Sequence, residues 1–237
     1  MSARFQTTNW SLVLAARGEA TEFSRDALTR LCELYWYPIY AFVRRRGNSA
    51  EDARDLTQGY FARLLEKGYL EDVRPEAGRF RSFLFASVSH FLSNERDRVQ
   101  AAKRGGGRTP ISLDTDSAEQ RYRIEPADDL TPEKVFEKQW ALALLDRALE
   151  RLQEEHPAGE ASARFQRLRP YLSGEEPTVA YREIADELGM TEGAVRQSIH
   201  RLRKRFGEVL REEIRQTVAD PDAVDSELRH LLSSLSE

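Results

Sequence analysis

The sequence predicts an all-α protein built as two compact helical domains joined by a flexible acidic linker. Three observations carry that expectation. Apolar residues recur at three- and four-residue spacing through most of the chain, and no stretch alternates convincingly in the manner of a strand. The 237 residues exceed the roughly 150 of an average domain, which points to one or two domains, each with a real core. Between about residues 104 and 130 the chain becomes acidic and loses its large apolar side chains, as a linker does. The resulting plan is a first domain over 1–103, a linker over 104–130, a second domain over 131–216 and a tail over 217–237.

The elements follow in order. Residues 27–46 read as a helix with Leu28, Leu31, Leu34/Tyr35, Ile39 and Phe42/Val43 along one side. Pro38 lies inside it and should bend or split it; Gly47-Asn48 stops it. Ser49 and Asp52 have capping-box spacing and open a second helix through about Lys67, with Ala53, Leu56, Tyr60/Phe61 and Leu64 inward. Gly68–Gly78, with Pro75, is a loop. A third helix runs from about Phe80 to Lys103, where Gly105-Gly106-Gly107 and Pro110 end it. Helical spacing resumes at Thr131-Pro132 with Val135/Phe136, Gln139/Trp140, Ala143/Leu144, Leu149 and Leu152. His156-Pro157 breaks it. Further helices are expected over about 160–173, 180–188 and 191–216, and a short one in the tail through Val224, Leu228, Leu231/Leu232 and Leu235.

Charge is unevenly spread. The chain carries 36 basic and 40 acidic residues, a net of -4, which argues against binding nucleic acid by bulk charge. Residues 79–108, however, carry seven basic and two acidic residues, and 191–205 carry five and one. Both islands are flanked by acidic stretches: 109–137 and 208–237 each hold three basic and eight acidic residues. Each island can meet phosphate although the whole is acidic. The single cysteine, Cys32, excludes a disulfide framework and any Cys-rich zinc module, and suits a reducing compartment. No stretch has the 18 or so apolar residues of a membrane span, and MSARFQTTNW has no apolar signal core, so a cytoplasmic location is expected.

The strongest local pattern runs from Ala180 to Arg203. Ile184, Ala185 and Leu188 form the apolar face of a short helix, and Gly189 suits a residue that leaves it with positive φ. Thr191 can cap the next helix, with Glu192 in its first turn. Val195, Ile199, Leu202 and Phe206 form its buried stripe. A small Ala, a Gly corner and spaced apolars are what a helix-turn-helix requires. With that stripe inward, Glu192, Arg196, Gln197, His200, Arg201 and Lys204 face outward. The early positions Glu192, Arg196 and Gln197 suit base edges in a major groove, while Arg201, Arg203, Lys204 and Arg205 suit phosphates. A plain helical hairpin with a solvated basic face is the competing explanation.

These residues, together with others earlier in the chain, carry a resemblance. Tyr37-Pro-Ile-Tyr-Ala-Phe-Val-Arg-Arg-Arg-Gly47, Ser49-Ala-Glu-Asp-Ala-Arg-Asp-Leu-Thr-Gln58 and Phe61-Ala-Arg-Leu-Leu65 look like the first conserved domain of bacterial RNA polymerase sigma factors of the sigma-70 family. The similarity is to the short extracytoplasmic-function (ECF) type. Gly78-Arg-Phe-Arg-Ser-Phe-Leu-Phe85 resembles the start of the family's promoter-opening helix, and Tyr181-Arg-Glu-Ile-Ala185 through Ser198-Ile-His-Arg-Leu-Arg203 its C-terminal helix-turn-helix. The matches cover 28–98 and about 135–215.

The resemblance implies roles residue by residue. Asp55, Leu56, Gln58 and Phe61 match the surface that binds the clamp helices of the polymerase's largest subunit. A carboxylate and an amide beside apolar groups suit a partner helix, although a solvated face would read the same way. The loop Gly68–Arg79 matches the segment that captures a flipped base of the melted non-template strand. Helix 80–98 matches the element beside the downstream promoter box, with Arg79, Arg81, His90, Asn94 and Arg98 as contact candidates and Phe83 as core. Two departures stand out. Ser87-Val-Ser-His90 replaces the family's usual Ile-Ala-Arg-Asn, so base preferences do not transfer. Arg169-Pro-Tyr-Leu-Ser-Gly-Glu-Glu-Pro177 stands in place of a Leu-Pro-x-x-x-Arg segment.

No enzyme chemistry emerges. His90, His156, His200 and His230 have no metal-ligand spacing, and neither a nucleophile elbow nor a P-loop occurs. No cofactor is implied. The expected function is that of a sigma factor, monomeric when free, with core RNA polymerase, double-stranded promoter DNA and the melted non-template strand as partners. An anti-sigma factor is a further candidate partner, and a membrane is not. The alternative is an autonomous helix-turn-helix transcriptional regulator.

Overall fold

A computed structural model of the chain describes residues 22–65, 79–101, 115–124, 130–172, 180–218 and 220–236. Among these residues the protein is all-α. The helices are α1 Glu22–Arg45, α2 Ala50–Leu65, α3 Phe80–Ala101, α4 Thr115–Ile124, α5 Pro132–Glu154, α6 Glu160–Leu168, α7 Tyr181–Leu188, α8 Glu192–Arg215 and α9 Val224–Ser236. Short 3-10 turns occupy Arg169–Leu172 and Pro221–Ala223, and one antiparallel bridge joins Arg79 to Val218. The expected loop 68–78 lies outside the described residues.

Local chemistry explains the helix ends. α1 runs through Pro38 as one helix. The Pro ring is buried with Ile39, Tyr40, Ala41 and Phe42, and packing outweighs the lost hydrogen bond. Gly47, at φ 89°, then turns the chain. The Ser49 hydroxyl accepts from the Asp52 amide at 3.0 Å and donates to its carboxylate at 2.7 Å, giving α2 its cap.

Two compact units divide the chain: Met1–Ala143 with Ile214–Glu237, and Leu144–Glu213. The first has an aromatic core. Tyr35 meets Phe80 at 5.2 Å between ring centroids, Trp36 stacks on Phe61 at 5.8 Å, and Tyr60 meets Phe91 at 5.7 Å. Gly59 lies beside the same ring, where a Cβ would sit 3.4 Å from Phe91, at the near edge of ordinary contact. Phe136 from α5 joins this core, 6.3 Å from Phe42 and 5.7 Å from Phe85. The second unit has an aliphatic core of Leu144, Leu152, Leu168, Ile184, Val195, Ile199 and Leu202, with Phe165 and Tyr171. In it Glu213, 3% exposed, pairs with Arg147 at 2.8 Å and Arg151 at 2.9 Å.

This division differs from the plan read from the sequence in three respects. The first half of α5, expected in the second domain, packs with the first unit, because Phe136 and Trp140 are buried there. The expected linker contains α4, a ten-residue helix. Its Ala118 is buried, and its Glu119 carboxylate accepts from the Tyr40 hydroxyl at 2.5 Å and from Arg44 at 3.1 and 3.2 Å. The Arg44 guanidinium lies 4.9 Å from the Tyr122 ring centre, and Arg121 lies 4.2 Å from that of Tyr37. Polar and cation–π contacts dock this segment where an apolar count foresaw none. The tail, given no role in sequence, forms α9 and belongs to the first unit.

Candidate nucleic-acid interface

In the second unit the corner between α7 and α8 is built as its residues suggest. Gly189 ends α7 in the left-handed region, at φ 61° and ψ 36°. The Met190 amide reaches back to the Ala185 carbonyl at 2.8 Å, so the last turn of α7 is closed by the backbone. The Thr191 hydroxyl accepts from the Ala194 amide at 3.2 Å and caps α8. Ile184, Ala185, Val195, Ile199 and Leu202 are buried and fix the angle. Ser198 is buried among them; its hydroxyl donates to the Ala194 carbonyl at 2.8 Å and accepts from Arg164 of α6 at 2.8 Å.

The opposite face of α8 is open. Glu192, Arg196, Gln197, His200, Arg201 and Lys204 are all exposed, as the spacing requires. Arg196 lies 3.6 Å from Glu192 and 5.5 Å from the Tyr181 ring centre. With the two side chains 65% and 47% exposed, that pair is held only weakly and can be exchanged for another partner. The cations further along behave differently. Arg203 donates to the Tyr171 carbonyl at 2.8 Å, and Arg205 binds Glu155 through two hydrogen bonds, at 2.8 and 2.5 Å. The Arg205 contacts hold the Glu155 carboxyl below its usual range, and the Glu155 and Glu208 contacts push the Arg205 guanidinium up. Of the four cations expected at phosphates, Arg203 and Arg205 thus serve the fold. Arg201 makes one long contact, 3.4 Å to Ser198.

In the first unit, α2 exposes Asp55 and leaves Leu56 and Gln58 half-buried. Phe61 is a correction to the expected surface: at 1% exposure, stacked on Trp36, it is core and supports that face from beneath. On α3, His90, Asn94 and Arg98 are exposed on one side. Asn94 lies 3.4 Å from His90, and Arg98 3.3 Å from Glu95. Phe83, expected as core, is half-buried against Phe80 at 5.9 Å. Arg81 is the larger departure. Its side chain is buried, pairing with Glu227 at 2.7 Å and Glu137 at 2.8 Å. Arg79 pairs with the same Glu227 at 2.8 Å. Neither ion pair with Glu227 was legible in the sequence, because that residue stands about 150 positions away, in a tail with no recognisable motif.

Arg164 was also missed. It lines a cleft with Phe165, Ser198, Arg201, Glu155 and Arg205, and its only sequence signal was a basic residue on an amphipathic helix. Among the described residues no group of His, Cys, Asp and Glu is placed to hold a metal ion. No described helix is long and apolar enough to cross a membrane.

Neither a curated protein nor a solved structure matches the chain. A family model does, that of the ECF sigma factor, over residues 40–212. The match runs from α1 into α8 and spans well over half the chain, so this protein belongs to the ECF sigma factor family, whose members bind RNA polymerase for transcription initiation and are not enzymes.

Proposed function

We propose that this sigma factor reads an upstream promoter element with α8 and contacts a downstream element with α3, while α2 binds core RNA polymerase. The second domain, expected from sequence over 131–216, takes duplex recognition, and the first, expected over 1–103, takes core binding and the melted non-template strand. Glu192, Arg196 and Gln197 stand at the start of α8, where side chains reach base edges. His200, Arg201 and Lys204 follow along the groove toward phosphates. Asp55, Leu56 and Gln58 form the core-facing surface, and His90, Asn94 and Arg98 the exposed edge of α3.

The observation that carries this is the exposed polar and basic face of α8, set opposite a stripe in which Val195, Ile199 and Leu202 are buried. The experiment is holoenzyme binding to a panel of upstream-element variants at several salt concentrations. Arg196→Ala should relax base preference by about 1–3 kcal/mol at one or two positions. Lys204→Ala should weaken every promoter alike and lower the salt slope by about one, because a phosphate contact releases counterions whatever the sequence. An unchanged preference profile for Arg196→Ala would remove it from the recognition role.

A further inference from the structure

Of the two arginines at the start of α3, Arg81 is buried, with 8% of its side chain exposed, and Arg79 is 36% exposed. Glu227 of α9 is completely buried and takes both: Arg81 Nε at 2.7 Å and Arg79 Nε at 2.8 Å. Arg79 also donates to Ser226 at 3.1 Å, and Arg81 lies 5.3 Å from the Trp140 ring centre while pairing with Glu137. A carboxylate that receives two guanidinium groups presents them with what a nucleic-acid phosphate presents, an anion with several acceptor oxygens.

The seat of α9 combines charge with a modest apolar contact, in which Val224, Leu228 and Leu235 are half-buried. Its buried residues are Glu227, Leu231 and Ser234, so one leucine is its only fully buried large apolar side chain, and Leu232 is 52% exposed. A buried ion pair adds little net stability, since desolvation offsets much of the attraction. The chain before α9 is fixed differently: Thr217 and Val218 are buried, and the Phe80 amide donates to the Thr217 carbonyl at 3.0 Å. Release of α9 therefore needs no loss of that anchor, only movement about the turn Pro221–Ala223.

We propose that α9 is a detachable intramolecular cap, in which Glu227 occupies Arg79 and Arg81 until nucleic-acid phosphate competes for them. This rests on the reading that the first domain contacts promoter DNA. The closed state then lowers apparent affinity in proportion to its population.

The test uses the full chain and a fluorescein-labelled single-stranded DNA of mixed sequence, titrated at several salt concentrations. Glu227→Gln keeps the shape of the seat and removes its charge. It should bind at least about threefold tighter than wild type, with a steeper salt slope, because phosphates gain contacts that the cap withheld. Adding Arg79→Gln and Arg81→Gln should abolish the gain. Equal or weaker binding by a folded Glu227→Gln protein overturns the proposal. Hydrogen exchange on wild type decides the matter where that variant does not fold. Amides of 224–236 should exchange faster when DNA is bound, and unchanged or slower exchange overturns the cap. If no form binds DNA at low salt, with or without core polymerase, the DNA reading itself falls and the cap with it. If wild type binds and Glu227→Gln merely matches it, only the cap falls.

Discussion

Glu119→Ala tests the docking of α4, the helix that stands where the chain composition suggested a linker. The Glu119 side chain is 13% exposed and accepts from Tyr40, Arg44 and Arg123. Truncation leaves the buried Tyr40 hydroxyl without its acceptor, at a cost of about 1–3 kcal/mol. Arg44, 20% exposed, can be partly rehydrated and adds about 1 kcal/mol more. The expected loss is about 2–4 kcal/mol, a large share of the roughly 5–15 kcal/mol that holds a domain together. Glu119→Gln keeps an acceptor for Tyr40 and should lose only about 1 kcal/mol. Tryptophan fluorescence in urea reads this selectively, because Trp36 and Trp140 are buried in the first unit and the second has no tryptophan. The effect should also depend on pH. Burial pushes the Glu119 carboxyl up, but hydrogen bonds from Tyr40, Arg44 and Arg123 outweigh it and hold the group below its ordinary value. A depressed carboxyl contributes its stability above the unfolded value of about 4.3 and loses it as pH falls through the folded one. The gap between wild type and Glu119→Gln should therefore be full at neutral pH and close below about pH 4. An unchanged urea midpoint for Glu119→Ala at pH 7 would refute the docking of α4.

Three further outcomes are expected. Gly189→Ala meets no atom within 4 Å, so its cost is backbone alone, about 1–2 kcal/mol for a Cβ in the left-handed region, with Gly189→Asn milder; circular dichroism in urea measures both. Glu213→Ala leaves Arg147 and Arg151 without their buried partner and should destabilise the second unit by about 3 kcal/mol, the low end for such a loss because both arginines are partly solvated; the same denaturation reads it. Asp55→Lys combined with Gln58→Ala should weaken binding to core polymerase by about 2–5 kcal/mol in a pull-down titration while helicity is unchanged, since charges buried at an interface depend on their partners.

Much of this molecule is legible from one strand of residues read in order. Helix positions follow from apolar spacing, and the corner at Gly189 from the chemistry of positive φ, because both depend on neighbours three or four positions away. The outward face of α8 follows from the same period. What sequence could not decide is which distant charges meet. Arg81 reads as a DNA contact until Glu227 and Glu137 bury it, and Arg205 as a phosphate contact until Glu155 takes it. The resemblance sets Phe61 on the binding surface, whereas its apolar spacing and its stacking on Trp36 place it in the core. The acidic stretch around Glu119 reads as linker because its anchors, Tyr40 and Arg44, lie 79 and 75 positions away. Local periodicity determines the helices; long-range pairing of polar groups, which has no period, is settled only when the chain is folded.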